Sequence, residues 1–388
     1  MHKMKQEDDD SEDETLLALT TQKEVFVTHN QGSSWEEVSP DREFTGIYPN
    51  KFYPDEVYLL STHDRVVYSR NRGKDWKSFR TPAEAITGVT PLYFHPQRPN
   101  FLIFVGQEGC DDAYSNECHT VAYSSQSYGA RWKKLQENVK YCQFTGSLHE
   151  SSYSKLIICE KLANEATNYR SNLIASTDFF DEDVRWLFED VIGMVKFGDL
   201  LVVAAALDGD ASIIQVSLDG FNWSDAFFPS NFPVNKKSAL TVLSAATKSM
   251  FLYVITESAE FGSLLKPNSV GQYYVLSLDY VNRDSRGFVD FEQMPGLEGV
   301  IMVNTVTNPQ DVRTGSRKKL KSMITYNDGA HWSYIQPPLS DLNGDTYECF
   351  GQSLELCSLN LHGYTEREDE RDTSFSSSAV GMMIGIGK

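Results

Sequence analysis

"SRNRGKDW", Ser69 to Trp76, is one of four close variants of a single eight-residue phrase. The others are "THNQGSSW" from Thr28 to Trp35, "SQSYGARW" from Ser125 to Trp132 and "TYNDGAHW" from Thr325 to Trp332. All four fit Ser/Thr-x-Asn/Asp/Ser-x-Gly-x-x-Trp. Degenerate copies read "STDFF" (Ser176 to Phe180), "SLDGFNW" (Ser217 to Trp223, one residue short) and "SLDYVNRD" (Ser277 to Asp284). Successive copies start roughly 40 to 60 residues apart, the period of a unit with about four strands, which is the signature of a β-propeller blade.

Each position of the phrase has a physical role. Asn30, Asn71 and Asn327, with Asp178 and Asp219 in the degenerate copies, accept bonds from nearby backbone N–H groups and fix an Asx-type turn. Gly32, Gly73, Gly129 and Gly329 supply a positive φ that other residues reach only at a cost. The leading hydroxyl ties down the entering strand, and Trp35, Trp76, Trp132, Trp223 and Trp332 return to pack beside the hairpin. Strand-like runs precede the phrases: "EVFVT", "RVVYS", "TVAYS", "SIIQVS" and "QYYVLS". Their alternation suits half-buried antiparallel strands. The expected fold class is therefore all-β, and the phrase is a structural staple whose loss costs folding rather than recognition.

Composition agrees. Aromatic residues make up 12% of the chain, with 22 Phe and 19 Tyr, a load that favours pleated sheet. The net charge of −19, from 54 acidic and 35 basic residues, repels phosphate backbones and argues against a nucleic-acid partner. Part of the excess sits in "EDDDSEDE", Glu7 to Glu14, which reads as a solvated, disordered tail. Residues 1–15 are accordingly set apart from a single β-domain over 16–388. The best apolar run, "LLVVAAAL" from Leu200 to Leu207, is far short of the roughly 20 residues that span a bilayer. The opening "MHKMKQEDDD" has no apolar h-region.

Six cysteines fall in three local couples: Cys110 and Cys118, Cys142 and Cys159, Cys349 and Cys357. None has the ligand spacing of a zinc site. Such couples read as disulfides closing short loops in an oxidising compartment, with free buried thiols as the alternative. Catalytic motifs fail: there is no G-x-S-x-G elbow and no H-E-x-x-H. The Phe/Tyr-Arg-Ile/Val-Pro stretch of sialidases is missing, and Arg42, Arg98, Arg185 and Arg313 are scattered. His95 in "YFHPQRPN" reads as an inter-strand turn, and "DLNGDTYE" (Asp341 to Glu348) as a polar turn without calcium-loop alternation. The closing "GMMIGIGK" reads as a buried strand with close backbone contacts. No catalytic, cofactor-binding or metal-ligating residue is expected.

The phrase resembles the Asp-box of sialidases, some glycosidases and the sortilin family. The C-terminal third narrows the choice. "MITYNDGAHWSYIQPP" leads into "YECFGQSLELCSLNLHGYTE" and then "SSSAVGMMIGIG". This order resembles the sortilin-type vacuolar sorting receptors, where a Cys-to-Cys loop follows an Asp-box blade; the Cys-Ser-Leu tripeptide matches Cys357, Ser358 and Leu359, and a histidine follows at His362. "LSLDYVNRDSRGFVDFEQMPGLEGVIMVNTV", Leu276 to Val306, resembles the fungal branch.

What the resemblance implies is a luminal, non-enzymatic receptor with a ten-bladed propeller, of which about six to seven blades are present. It would carry soluble hydrolases, as carboxypeptidase Y-like precursors or their propeptides, from the late Golgi through endosomes to the vacuole. The implied disulfides are Cys142–Cys159, Cys349–Cys357 and Cys110–Cys118, the last closing a loop of the third blade. The sequon "NWS" makes Asn222 an N-glycosylation acceptor of a luminal chain. The family's signal peptide, cysteine-rich module, transmembrane helix and cytosolic tail are missing from this sequence, so a fragment is expected, with membrane attachment only through that missing helix. Glu298 stands where animal relatives carry a ligand-binding arginine, so carboxylate capture is not expected at that point. The competing readings are an Asp-box glycosidase and a soluble cargo-binding decoy.

Overall fold

Strands form where the sequence runs or alternates apolar between the eight-residue phrases, and each pairs with its neighbour in the chain. The computed structural model describes residues 2–3, 15–86, 89–110, 118–145, 155–163, 171–207, 212–230, 232, 240–244, 250–294, 297–340, 343–346, 353–366, 375–376 and 384–387. It divides into two compact units, Met1–Ile192 and Gly193–Lys388.

The first unit opens with three four-stranded antiparallel sheets. These are β1 (His2–Lys3), β2 (Leu16–Leu19), β3 (Val25–Thr28) and β4 (Glu36–Glu37); β5 (Phe44–Pro49), β6 (Val57–Ser61), β7 (Arg65–Ser69) and β8 (Lys77–Arg80); and β9 (Leu92–Phe94), β10 (Leu102–Glu108), β11 (His119–Ser125) and β12 (Lys133–Glu137). A fourth run is β13 (Val139–Phe144), β14 (Ile157–Leu162), β15 (Ser171–Ser176) and the long β16 (Arg185–Phe197), which carries the chain into the second unit. There β17 (Leu200–Ala206), β18 (Ser212–Ser217) and β19 (Ser224–Asp225) continue the order. Next come β20 (Leu240–Ser244), β21 (Met250–Ser258), β22 (Phe261–Pro267) and β23 (Tyr274–Asn282). Last are β24 (Phe291–Gln293), β25 (Ile301–Val306), β26 (Leu320–Thr325) and β27 (Ser333–Tyr334). The repeating unit is the four-stranded meander of a β-propeller blade.

The core lies between consecutive sheets. In β6, Val57 and Leu59 join Leu17, Val25 and Val27 of the sheet before, while Tyr58 and Leu60 join Leu102 and Phe104 of the sheet after. In β10, Ile103 and Val105 turn the other way, toward Val139, Cys142 and Ile157. The same division holds in β21, where Leu252 and Val254 meet Val202 and Ile214 while Phe251 and Tyr253 meet Ile301 and Val303. With both faces buried, these strands read as unbroken apolar runs rather than alternating ones. Each large side chain fully buried this way contributes about 1.5–3 kcal/mol.

The phrases form the turns between the third and fourth strands. In the turn from β7 to β8, Ser69 Oγ donates to Asn71 Oδ1 (3.0 Å) and accepts from the N–H of Gly73 (2.8 Å), while Asn71 Oδ1 accepts from the N–H of Asp75 (2.9 Å). Thr28 with Asn30 and Thr325 with Asn327 repeat the pattern. Ser127 takes the Asx place in the third copy, accepting from Arg131 N–H at 3.1 Å. Two successive residues turn left-handed, the glycine and the residue before it: Gln31, Arg72, Tyr128 and Asp328 have φ of 59, 58, 52 and 58°. In "STDFF" the pair is Phe179 and Phe180, at 65 and 58°. Phe179 offsets that strain by inserting its ring into the core beside Phe101, in a copy that has no tryptophan.

Glycine and tryptophan also dock on the preceding sheet. Trp76 packs against the Leu17 and Val27 cluster, Trp132 lies 5.7 Å from the Phe79 ring, and Trp332 joins Phe251 and Tyr253. Trp35 differs, with 41% of its surface exposed. Asp219 accepts from the N–H groups of Phe221 and Asn222, both at 2.8 Å, and Trp223 Nε1 donates to Gly220 O at 3.2 Å.

Three expectations change. "SLDYVNRD" is not a turn: Ser277 to Asn282 lie in β23. The stretch remains within the strand although Tyr280 is left-handed (φ 58°), and Asp279 accepts from Ser263 across the ladder and from the N–H of Tyr280. The hairpin forms later, where Asp284 accepts from the N–H groups of Arg286 and Phe288. At the chain's end Ile384–Gly385 pairs with Phe375–Ser376, yet Gly385, Ile386 and Gly387 are exposed, so the described part of this stretch is not buried; among the described residues a two-residue strand and the Leu361–Gly387 bridge hold it. His2 and Lys3, inside the acidic tail, pair with Leu17 and Leu16 because β2 offers them a backbone edge; residues 4–14 lie outside the described set.

Packing ranks the glycines. A Cβ at Gly129 would stand 2.5 Å from Phe79 Cγ, whereas at Gly32 the nearest atom, of exposed Trp35, is 3.7 Å away. Gly32→Ala is expected to cost about 1 kcal/mol of backbone strain, and Gly129→Ala a further 1–3 kcal/mol of overpacking. Equal denaturation midpoints for the two variants would contradict this. Desolvation pushes the Asp178 carboxyl upward but is outweighed by bonds from Ser176 Oγ and the N–H groups of Glu182, Asp183 and Asp181, which bring its pKa from 3.8 down to about 2. A depressed carboxylate stabilises in full above its unfolded pKa and loses that contribution as pH falls through its folded value. The stability gap between wild type and Asp178→Ala should therefore be flat from pH 7 to pH 4 and shrink between pH 4 and pH 2, as followed by denaturant titration.

Candidate functional site

The first strands of successive sheets, β5 and β9, carry the side chains that border the cavities of the first unit. Gly46 lets the Tyr48 ring lie back over β5, since a Cβ there would stand 2.8 Å from the ring. Tyr48 thus lines two cavities. The larger, about 690 Å³, has Thr45, Ser61, Thr62, His63, Asp64 and Glu84 as its polar lip, with Leu60, Pro82 and Ile86 below. The smaller, about 260 Å³, is walled by Phe52, Tyr93, Phe94 and Phe144 and bordered by Lys51 and Gln143. Together they make a groove along the first-strand side, where a β-edge offers backbone donors and acceptors.

Its electrostatics follow from burial and pairing. Desolvation raises the Tyr48 phenol and pushes Tyr93 up to about 12. Lys51 is exposed, and partial desolvation lowers its pKa. The carboxylates of the lip are engaged: Asp64 with Arg80 Nε at 2.6 Å, and Glu84 with Gln107 Nε2 at 3.0 Å. Below the groove Glu56, 5% exposed, accepts from Asn50 Nδ2 (3.0 Å) and the Tyr58 hydroxyl (3.2 Å) and faces Arg70. Burial still lifts its pKa. Arg70 in turn lies 4.0 Å over the Tyr128 ring. The buried Glu56, Asn50 and Tyr58 fix the 50–56 turn that carries Lys51 and Phe52.

The residues singled out in the sequence sit elsewhere. The Asp-box side chains lie at the turns before the fourth strands. Cys110 is bonded to Cys118, and Cys142 to Cys159 across β13 and β14. Cys349 lies outside the described residues, so its pairing with Cys357 is not described. Asn222 is exposed, its Nδ2 donating to Asp219 at 2.6 Å. Glu298 is exposed in the turn between β24 and β25. His95 is fully buried in the turn after β9, where its Nδ1 accepts from the N–H groups of Gln97 and Arg98. Among the described residues no group of three His, Cys, Asp or Glu side chains could hold a metal ion, and no helix is long and apolar enough to cross a membrane. Sequence reasoning missed Tyr48, Lys51, Tyr93 and Gln143. The available signal was "GIYPNKFY", a strand ending in proline with a lysine set among aromatics.

Comparison with known proteins places this framework. A family model described as "Sortilin, neurotensin receptor 3" (Sortilin-Vps10) matches residues 23–388. "Vacuolar protein sorting/targeting protein 10" of Aspergillus terreus is 39% identical over 391 residues, which is 99% of this chain and 26% of that protein. Its counterpart in Ajellomyces capsulatus strain H143 is 38% identical over 393 residues, 99% of this chain and 28% of that protein. The chain thus spans about a quarter of the length of these relatives. Among solved structures, the β-propeller domain of the Trilobed protease from Pyrococcus furiosus aligns with a TM-score of 0.42 at 11% identity, over 77% of this chain and 85% of that one. With its repeat, its sheets and nearly its whole length matched by one family model, the chain belongs to the sortilin–Vps10 family.

Proposed function

We propose that the chain is the cargo-binding part of a vacuolar sorting receptor, and that it binds rather than transforms its partner. The observation that carries this reading is identity of 38–39% over 99% of the chain to proteins named for vacuolar sorting and targeting. The groove supports it: a polar lip, aromatic walls and a strand edge suit an extended polypeptide, which can add backbone hydrogen bonds to an open sheet edge. The partners would be soluble vacuolar hydrolase precursors or their propeptides, met in the Golgi and endosome lumen. Residues 16–388 would form this propeller portion, with 1–15 as an appended acidic segment. The disulfides and a glycan at Asn222 fit an oxidising, luminal compartment.

A binding role also suits the carboxylates. Hydrolysis of a glycosidic bond needs one carboxyl to donate a proton and a second to act as base or nucleophile. In the groove Asp64 and Glu84 are each tied to a partner side chain. The two readings separate cleanly in one experiment. The purified chain is titrated with a carboxypeptidase Y-like precursor and its mature form, and incubated in parallel with fluorogenic glycosides. Saturable binding of the precursor without glycoside turnover is expected; turnover abolished by Asp64→Asn would replace the receptor with an enzyme. Gly46→Ala, which displaces the Tyr48 ring, is expected to weaken precursor binding about tenfold, equivalent to 1.4 kcal/mol. Unchanged affinity would remove the groove from the cargo site.

A further inference from the structure

We propose that a second site, lying wholly within the second unit, takes a phosphorylated sugar. It is an open, polar cavity of about 770 Å³ beside the loop from β25 to β26, bordered by Glu260, Ser316, Arg317, Lys318, Asn360 and Glu366. This site shares no residue with the cargo groove.

Charge selects the phosphate. Residues 313–321, "RTGSRKKLK", carry five cations and no carboxylate in a chain of net charge −19. Two of the five are engaged within the fold. Lys318 Nζ meets Glu260 Oε2 at 2.8 Å, Asn282 Oδ1 at 3.0 Å and Arg283 O at 2.6 Å, and Lys321 Nζ donates to Ser358 O. The exposed Arg317 guanidinium has no partner among the described residues, and its planar fork suits phosphate oxygens. The Ser316 hydroxyl beside it, also without a partner among the described residues, can donate to the same group.

Hydrogen bonding and size select the sugar. The volume of about 770 Å³ lies within the roughly 300–1,000 Å³ of small-molecule sites and far exceeds a bare phosphate. The Asn360 amide has no partner among the described residues, and its Oδ1 is buried. Buried acceptors are normally bonded, and a hydroxyl of the guest would complete this one. Glu260 and Glu366 each face a nitrogen through one oxygen, Lys318 Nζ at 2.8 Å and His362 Nδ1 at 3.1 Å. Their second oxygens can accept further hydroxyls. Val312 and Leu320 offer apolar contact to the C–H face of a ring.

The frame is braced from both sides. Asn308 holds the loop by donating to Arg317 O at 3.0 Å and accepting from the N–H of Lys319 at 2.8 Å. Asp290, 1% exposed, holds the wall that carries Asn360 and Glu366 by accepting from the N–H and hydroxyl of Thr365, at 2.8 and 2.9 Å. Such preorganisation lowers the ordering cost of binding.

Isothermal titration calorimetry of the full 388-residue chain with mannose 6-phosphate, mannose and inorganic phosphate tests the assignment. Mannose 6-phosphate is expected to saturate with a Kd of at most about 1 mM, at least about tenfold tighter than either of the others. Arg317→Gln and Asn360→Ala are each expected to weaken it at least about tenfold at unchanged melting temperature. Lys319→Gln, in the same basic run but outside the cavity, should change it by less than about twofold. A glycopeptide with a phosphorylated N-glycan then fixes the source. Tighter binding than the free sugar identifies a glycoprotein partner, and equal or weaker binding a free sugar phosphate. No saturation by mannose 6-phosphate overturns the proposal. So does inorganic phosphate binding as tightly, which leaves a bare anion site, or equal losses in Lys319→Gln and Arg317→Gln, which leave general charge attraction.

Discussion

Everything in this fold depends on one packing constraint: each sheet has two apolar faces and must bury both against its neighbours. A single side-chain alternation achieves this. Val57 and Leu59 look one way, Tyr58 and Leu60 the other, and the same split recurs at β10 and β21. Stability is therefore shared between consecutive sheets rather than held within each. The Asp-box turn serves the same end. Its hydroxyl and Asx side chain close the turn, while its glycine and tryptophan settle on the sheet before. Gly129 against Phe79 and Gly329 against Phe251 show how close that approach is.

With the turns and the interfaces committed to packing, recognition falls to what packing leaves open. Strands β5 and β9 each stand at the end of their sheet and keep one edge unpaired by a named strand. In the first unit, Tyr48 folds over Gly46 and divides the resulting groove into a polar half and an aromatic half. The buried node of Glu56, Asn50 and Tyr58, faced by the exposed Arg70, holds the turn beside it. Scaffold and site thus use different residues of the same sheets.

That separation explains what the sequence revealed. The fold was legible because the staple must recur wherever the same packing recurs, and six of its seven copies do form the turn. The seventh was misread for a physical reason. Ser277 matches the motif, but its stretch lies within β23, and the hydroxyl serves the next box by donating to Gly329 O and accepting from Trp332 Nε1. The groove left almost no trace. Tyr48, Lys51, Tyr93 and Gln143 are drawn from three sheets, are ordinary strand or turn residues, and meet only after folding. Nor did the phrase announce that the residue before its glycine is left-handed as well, since Gln31, Arg72, Tyr128 and Asp328 share no side-chain chemistry.

The bridge between Cys142 and Cys159 has a consequence for assembly. The two cysteines face each other directly in the register of β13 and β14, fully buried. Sliding one strand by a single residue would send one sulfur to the opposite face of the sheet. With the bond in place the strands can pair only in the register that sets the two sulfurs on one face, and the slip is forbidden. The bond thus holds strand alignment covalently, adding to the packing and backbone hydrogen bonds that hold it elsewhere in the first unit.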